Sequence, residues 1–138
     1  MAKVVNLKVG QSAKVIGEVK FLSTPEAGIH IGELVVIRGP VEIGEGTTIK
    51  DCAYIGPNTM IGKNCLIGPH AVIGDTTYRD VAMKFDLDDV YTENKPVMTV
   101  LGDNTVIGAN TTLKEGTYLE DNSIVLNGGT DIETKIGG

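Results

Sequence analysis

The chain is poor in large aromatic side chains. Aromatic residues make up 4% of its 138 residues and tryptophan is absent, although hydrophobic residues make up 41%. A globular core of this size normally contains more large rings. The composition suits a narrow interior filled by isoleucine, valine and threonine instead. The 18 glycines fit a chain with many tight corners.

The chain also has no basic patch, no long apolar run and few cysteines. Lysine and arginine are scattered and the formal net charge is -6, which argues against nucleic acid as a partner. Neither a signal peptide nor a run of about 18 apolar residues is present, so we expect no membrane partner and a cytoplasmic location. Cys52 and Cys65 do not form a disulfide framework. Cys65 is predicted to be inert interior packing, and Cys52 a free thiol at a corner.

What the sequence does contain is a repeat of six residues from Ile31 to Tyr78. An aliphatic residue opens each unit, at Ile31, Ile37, Ile43, Ile49, Ile55, Ile61, Ile67 and Ile73. A small residue recurs four places later, at Val35, Val41, Thr47, Ala53, Thr59, Cys65, Ala71 and Thr77. A fixed hexapeptide period is the signature of a parallel β-helix, in which each unit is one short strand plus a corner.

The repeat predicts one β-helical domain over residues 1–138. Its parts are an irregular N-terminal cap at 1–30, regular coils at 31–78, a loop at 79–100, further coils at 101–130 and a tail at 131–138. The loop is polar and acidic, and loops of this length on a regular scaffold are usually functional or disordered. We expect an ordered loop, with Met83, Phe85, Leu87 and Val90 packed on the prism or on a neighbour.

Three of the repeats identify a family resemblance. Ile55-Gly-Pro-Asn-Thr-Met, Ile61-Gly-Lys-Asn-Cys-Leu and Ile67-Gly-Pro-His-Ala-Val resemble the hexapeptide-repeat transferases. The resemblance implies an all-β fold, a left-handed parallel β-helix with one protruding loop, and a homotrimer with sites at the subunit seams. The stretch from Ile37 to Ile49 also resembles the β-helical tail of sugar-nucleotidyltransferases.

The order of the pieces resembles the sugar and nucleotide-sugar acetyltransferases of this superfamily. A regular body and a loop are followed by Leu101-Gly-Asp-Asn-Thr-Val-Ile-Gly-Ala-Asn-Thr-Thr-Leu. The resemblance implies acetyl-CoA as co-substrate and places its groove at Gly108, Ala109 and Asn110, with Lys114 opposite a phosphate. The alternative is that the glycine and alanine are ordinary corner residues.

Acetyl transfer to a hydroxyl or an amine needs a base, and histidine is the usual one because its pKa lies near neutrality. His70 falls at an outward corner and is the first candidate; the alternative is a solvated corner. His30 is a weaker candidate. Asp75 stands at the start of the loop, where it would accept a proton or position a sugar amine, or else form a turn. With two histidines in the chain, we predict no metal site of the β-helical carbonic anhydrase type, whose zinc needs three.

Two functions therefore stay open. The first is an acyl-CoA-dependent acetyltransferase acting on a sugar or nucleotide sugar. The second is a non-catalytic assembly or regulatory module related to nucleotidyltransferase tails. The second is favoured by the scarcity of histidine, by the absence of a matched base and by the absence of a C-terminal helix in the sequence pattern.

Overall fold

The structure is a computed structural model that describes residues 5–77, 80, 84 and 97–126. Short strands form nearly all of its regular structure. They are β1 Leu7–Val9, β2 Lys14–Ile16, β3 Val19–Phe21, β4 Ile29–Ile31, β5 Val36–Arg38, β6 Val41–Ile43, β7 Thr48–Ile49, β8 Tyr54–Ile55, β9 Thr59–Ile61, β10 Leu66–Ile67, β11 Val72–Asp75, β12 Thr99–Leu101, β13 Val106–Ile107, β14 Thr112–Lys114, β15 Tyr118–Leu119 and β16 Ile124–Val125.

Consecutive strands belong to three different parallel sheets. Sheet A is β1-β4-β7-β10-β13-β16, sheet B is β2-β5-β8-β11-β14 and sheet C is β3-β6-β9-β12-β15. Every third strand therefore returns to the same sheet one coil higher, which gives five complete turns and the start of a sixth. The predicted all-β fold, a left-handed parallel β-helix, is confirmed.

The interior is a stack of aliphatic side chains at equivalent positions. On sheet B, Ile37 pairs with Ile55 and Ile55 with Ile73. All eight predicted openers from Ile31 to Ile73 are at most 3% exposed, as are Leu101, Ile107, Leu113 and Leu119 in the later coils. Strands of two to four residues suffice, because each one needs only an inward aliphatic residue and ladder hydrogen bonds to the coils above and below. The predicted core is confirmed.

The corners repeat with equal regularity. At eight of them a non-glycine residue adopts a φ between 56° and 66°: Leu34, Cys52, Asn58, Asn64, His70, Asn104, Asn110 and Asn122. Corner AB is the name used for the bends that join sheet A to sheet B. It comprises residues 10–12, 32–34, 50–52, 68–70 and 108–110. Corner CA is the name used for the bends that join sheet C to sheet A. It comprises residues 44–46, 62–64, 102–104 and 120–122.

The described N-terminal residues are more regular than the predicted cap. Strands β1, β2 and β3 pair in register with β4, β5 and β6, so they form a complete first turn. The irregular part is confined to residues 22–28. The hexad pattern is weak here because this turn closes the described stack, which leaves its inward-facing Val9 and Val15 each 41% exposed.

The regular repeat ends earlier than Tyr78. Gly74 has a φ of 79° and the pairing of β11 with β14 shifts register between Ile73 and Asp75. Thr77, predicted as a small interior residue, is exposed and helical, as are Asp80 and Lys84. The coil resumes with β12 at Thr99, two residues before the predicted restart of the coils at Leu101. The side chains expected to pack the loop, at 83, 85, 87 and 90, lie outside the described residues.

Both cysteine predictions are confirmed. Cys65 is 2% exposed and Cys52 is half-buried at corner AB, and both are free thiols. Burial raises the pKa of the Cys65 thiol. Within the described ranges, no helix has the length and apolar character needed to cross a membrane.

Candidate functional site

His70 lies exposed at corner AB, in the left-handed backbone region with a φ of 62°. Its amide donates to the carbonyl of Asp51 one coil below, at 3.1 Å. This bond fixes the backbone of the corner, so the imidazole projects from a rigid position. Cys52 occupies the equivalent place one coil below, and Asn110 the equivalent place one coil above.

The predicted cofactor residues stack directly on this corner. The amide of Asn110 donates to the carbonyl of Pro69 at 3.0 Å, and Ala109 and Asn110 are exposed. The structure therefore brings His70 and the segment from Gly108 to Asn110 together, one coil spacing of about 4.8 Å apart.

Gly108 has a structural reason to be glycine. A Cβ at this position would lie 3.2 Å from the Cα of Leu126, so the missing side chain makes room for the sixth coil. The amide of Gly108 is also used, because it donates to the carbonyl of Val125 at 2.7 Å. Ala109 and Asn110, which are exposed, are therefore better placed to contact a ligand than Gly108, whose amide is already hydrogen-bonded.

Asp75 and Lys114 form a separate cluster at the other end of sheet B. The two residues are Cα partners across β11 and β14, and the amide of Glu115 donates to the carbonyl of Asp75 at 3.0 Å. Four residues lie between His70 and Asp75, three of them in β11, so their Cα atoms are at most about 16 Å apart at about 3.3 Å per residue. Within one chain, Asp75 and Lys114 do not contact the corner that carries His70.

The carboxylate of Asp75 is occupied by local hydrogen bonds. Its Oδ1 accepts from the amide of Thr77 at 3.1 Å and from the hydroxyl of Thr77 at 2.6 Å. Thr76 continues the turn, since its hydroxyl donates to Asp80 at 3.1 Å and its carbonyl accepts from the amide of Asp80 at 2.9 Å. These contacts match the turn-forming alternative for Asp75, and among the described residues they leave its Oδ2 without a hydrogen bond.

Above the first coils, the central outward positions of the two sheets that meet at corner AB carry no charge and are called the uncharged faces. Arg38 and Lys114 lie outward at the far end of sheet B. The central outward residues on sheet A are Thr48, Leu66, Val106 and Ile124, and those on sheet B are Val36, Tyr54, Val72 and Thr112. Nearly all are half-buried, with Leu66 37% exposed. Such faces lose little on desolvation, so they suit contact with another protein surface.

Sequence reasoning missed a groove on the outside of sheet C. It has a volume of about 450 Å³ and lies along sheet C and corner CA, away from His70. A smaller cavity of about 220 Å³ adjoins it, where sheet B passes to sheet C. The signal was present in the outward positions of the hexads, where Met60, Val100 and Tyr118 follow one another on β9, β12 and β15.

Two further observations concern the remaining candidates. His30 is exposed on the outer face of sheet A, between Lys8 and Thr48, and lies on a different face from the corner of His70. Among residues 5–77, 80, 84 and 97–126, no three side chains of histidine, cysteine, aspartate or glutamate are grouped closely enough to hold a metal ion.

Two family models match the chain on either side of the loop. Residues 40–75 match the bacterial transferase hexapeptide (six repeats), and residues 98–130 match the hexapeptide repeat of succinyl-transferase. The chain belongs to the hexapeptide-repeat transferase superfamily. No curated protein sequence matches it.

Solved structures of the superfamily share the fold. A histidine-to-alanine variant of GDP-perosamine N-acetyltransferase from Caulobacter crescentus, in complex with CoA and GDP-perosamine, superposes with a TM-score of 0.69 at 18% identity over 94% of this chain. A histidine-to-asparagine variant of perosamine N-acetyltransferase from the same organism, with the same ligands, gives 0.68 at 17% identity over 94% of this chain. At this identity the likeness shows the fold alone. The chain spans about half of those chains, 49% in both cases.

Proposed function

We propose that this protein is an acyl-CoA-dependent acetyltransferase that acts on a hydroxyl or amine of a sugar or nucleotide sugar. The observation that carries the proposal is the exposed His70, fixed one coil below Ala109 and Asn110 at a corner between two uncharged faces. The structural neighbours support it, since they were solved with CoA and a nucleotide sugar.

In the proposed reaction His70 is the general base. Its neutral imidazole takes the proton of the acceptor as the acceptor oxygen or nitrogen attacks the thioester carbonyl of acetyl-CoA. The thiolate of CoA leaves, and the acetyl group remains on the acceptor. General-base catalysis of this kind contributes about 10²- to 10⁴-fold to a rate. Ala109 and Asn110 flank the donor, since they are the exposed residues of the coil above.

The proposed roles of Asp75 and Lys114 require a ligand, or a subunit, that reaches the other end of sheet B. Lys114 would face a phosphate, and the free oxygen of Asp75 would hold an acceptor amine. Because β11 lies between His70 and these two residues, neither residue assists the base directly. We assign both to binding.

We also propose a homotrimer in which an uncharged face of one subunit covers corner AB of the next. A slender prism has little core of its own, which favours association. Such a seam would exclude water from His70 and complete the site with residues of a second copy. A monomeric mass at micromolar concentration, measured by light scattering, would defeat this part of the proposal.

The test uses calorimetry with acetyl-CoA and CoA, followed by acetyl transfer to a panel of amino sugars and nucleotide sugars. His70→Asn is the informative variant, because asparagine tolerates the left-handed backbone that His70 adopts. We expect at least about 100-fold slower transfer, with donor binding unchanged within about twofold. His30→Asn is the matched control and should retain full activity. Absence of donor binding up to millimolar concentration would sink the proposal.

The non-catalytic module stays the second candidate because of one observation. Among the described residues, the hydrogen bond found at His70 is the one from its backbone amide to Asp51, and none fixes the tautomer of its ring. A histidine base is normally oriented in this way. Full donor binding with no transfer to any acceptor, and no effect of His70→Asn, would favour the module.

A further inference from the structure

The groove on sheet C runs parallel to the axis of the prism. Its lining extends from Leu22 at the end of the first turn to Tyr118 and Asp121 in the fifth. Four coil spacings of about 4.8 Å give it a length of about 19 Å. That length matches an extended peptide of about six residues at about 3.3 Å per residue.

The floor of the groove is apolar and exposed. Val100 pairs with Met60 on one side and with Tyr118 on the other, so the three side chains form a continuous outward row. Met60 is 41% exposed, Tyr118 63% and Leu22 46%. A contiguous apolar row of this kind, rimmed by polar groups, marks an interaction surface.

The rim of the groove is acidic. Glu42, Glu45, Asp103 and Asp121 line it, and Lys63 is the one cation among its described lining residues. Two of the carboxylates are held in place one coil apart. Asp103 Oδ1 accepts from the amide of Lys63 at 2.8 Å, and Asp121 Oδ1 accepts from the amide of Asp103 at 2.7 Å.

We propose that this groove docks a basic, amphipathic segment of a partner protein in an extended conformation. Apolar side chains of the segment would cover Met60, Val100 and Tyr118, and its lysine or arginine side chains would meet the acidic rim. Charge complementarity selects this occupant. The phosphates of a nucleotide or of CoA would be repelled by the rim, so the groove is distinct from the donor site at corner AB.

The same argument disfavours the other occupants. A second copy of the chain brings a formal net charge of -6. The segment 78–96 contains five acidic and three basic residues, and the segment 127–138 contains two acidic residues and one basic. Neither segment carries a net positive charge, which favours a segment of another protein as the occupant.

The test uses an acetylated, amidated heptapeptide of alternating lysine and leucine, titrated into protein labelled with ¹³C at the methionine methyl groups. The Met60 signal, assigned with Met60→Leu, should shift on binding. Glu45→Gln should weaken binding about three- to fivefold, as expected for one exposed charge pair, and Tyr118→Ser should weaken it further. His30→Lys raises the formal net charge by the same one unit on the outer face of sheet A, below the uncharged face, and should leave binding within about twofold.

Three results would overturn the proposal. The first is a Met60 signal that does not move at saturation. The second is equal binding of a lysine–serine heptapeptide, which would show attraction by net charge alone. The third is a change in the mass of the protein on Tyr118→Ser, measured by sedimentation, which would show that a second copy covers the groove. None of these readouts depends on acetyl transfer.

Discussion

Truncating an inward side chain should lower the free energy of unfolding most in the middle of the prism and least at its first turn. Ile55 is completely buried and stacked between Ile37 and Ile73. Ile55→Ala loses about 2.4 kcal/mol of transfer free energy, at ~0.8 kcal/mol for each buried carbon removed. The coil spacing is fixed by ladder hydrogen bonds, so the cavity cannot collapse. We therefore expect a total loss of about 3 to 4 kcal/mol, within the usual range for such changes.

The comparison is Val15→Ala in the first turn. Val15 is 41% exposed, so we expect it to cost below about 1 kcal/mol. Ile55→Val should fall between the two, at about 1 kcal/mol. Urea unfolding followed by circular dichroism gives the free energies, with equal slopes required for a fair comparison. A cost for Ile55→Ala below about 1 kcal/mol, or equal to that of Val15→Ala, would refute a tightly packed stack.

Two further predictions concern the thiols and the first turn. Cys52 should react with a thiol reagent in the native state, whereas Cys65 should react only after unfolding because it is buried and burial raises its thiol pKa; two fast thiols, with Cys52→Ser as the control, would contradict this. Hydrogen bonds from Ser12 hold the pKa of Glu33 below its ordinary value of 4.5. A lowered folded-state pKa means that this link stabilises the fold fully above pH 4.5 and is lost as the pH falls through the folded value. The protection factors of the β2 amides, which correct for the intrinsic pH dependence of exchange, should therefore fall on acidification. Glu33→Gln should lower them already at neutral pH, and identical protection factors in both proteins would exclude the link.

The hexapeptide pattern was enough to predict the coils because each inward position depends on local spacing alone. Ile31 to Ile73 all lie where the period places them. Thr77 satisfies the same period and still lies outside, because the bulge after Ile73 turns the chain out of the coil. The six-residue period therefore predicts which residues can occupy a coil, but it does not predict where the backbone leaves the coil.

The candidate site was predictable only in part. The repeat places His70 and Asn110 at the same corner in successive coils. This holds because the chain leaves the coil after β11 and rejoins the same turn at β12. The separation of Asp75 from His70 also follows from the repeat, since His70 lies at the corner before β11 and Asp75 at the end of that strand. The groove on sheet C was missed, because its acidic rim comes from three different coils and no short motif contains it.

The bulge at Gly74 and Asp75 has a consequence for how such proteins diversify. β11 still pairs with β14, and β12 with β9, so the ladder closes on both sides of the point where the chain departs. A lengthened or exchanged segment there adds only a loop-closure cost, about 0.6 kcal/mol for each doubling of its length. New surface can be acquired at this position while the scaffold keeps its register, so recognition and folding can evolve separately.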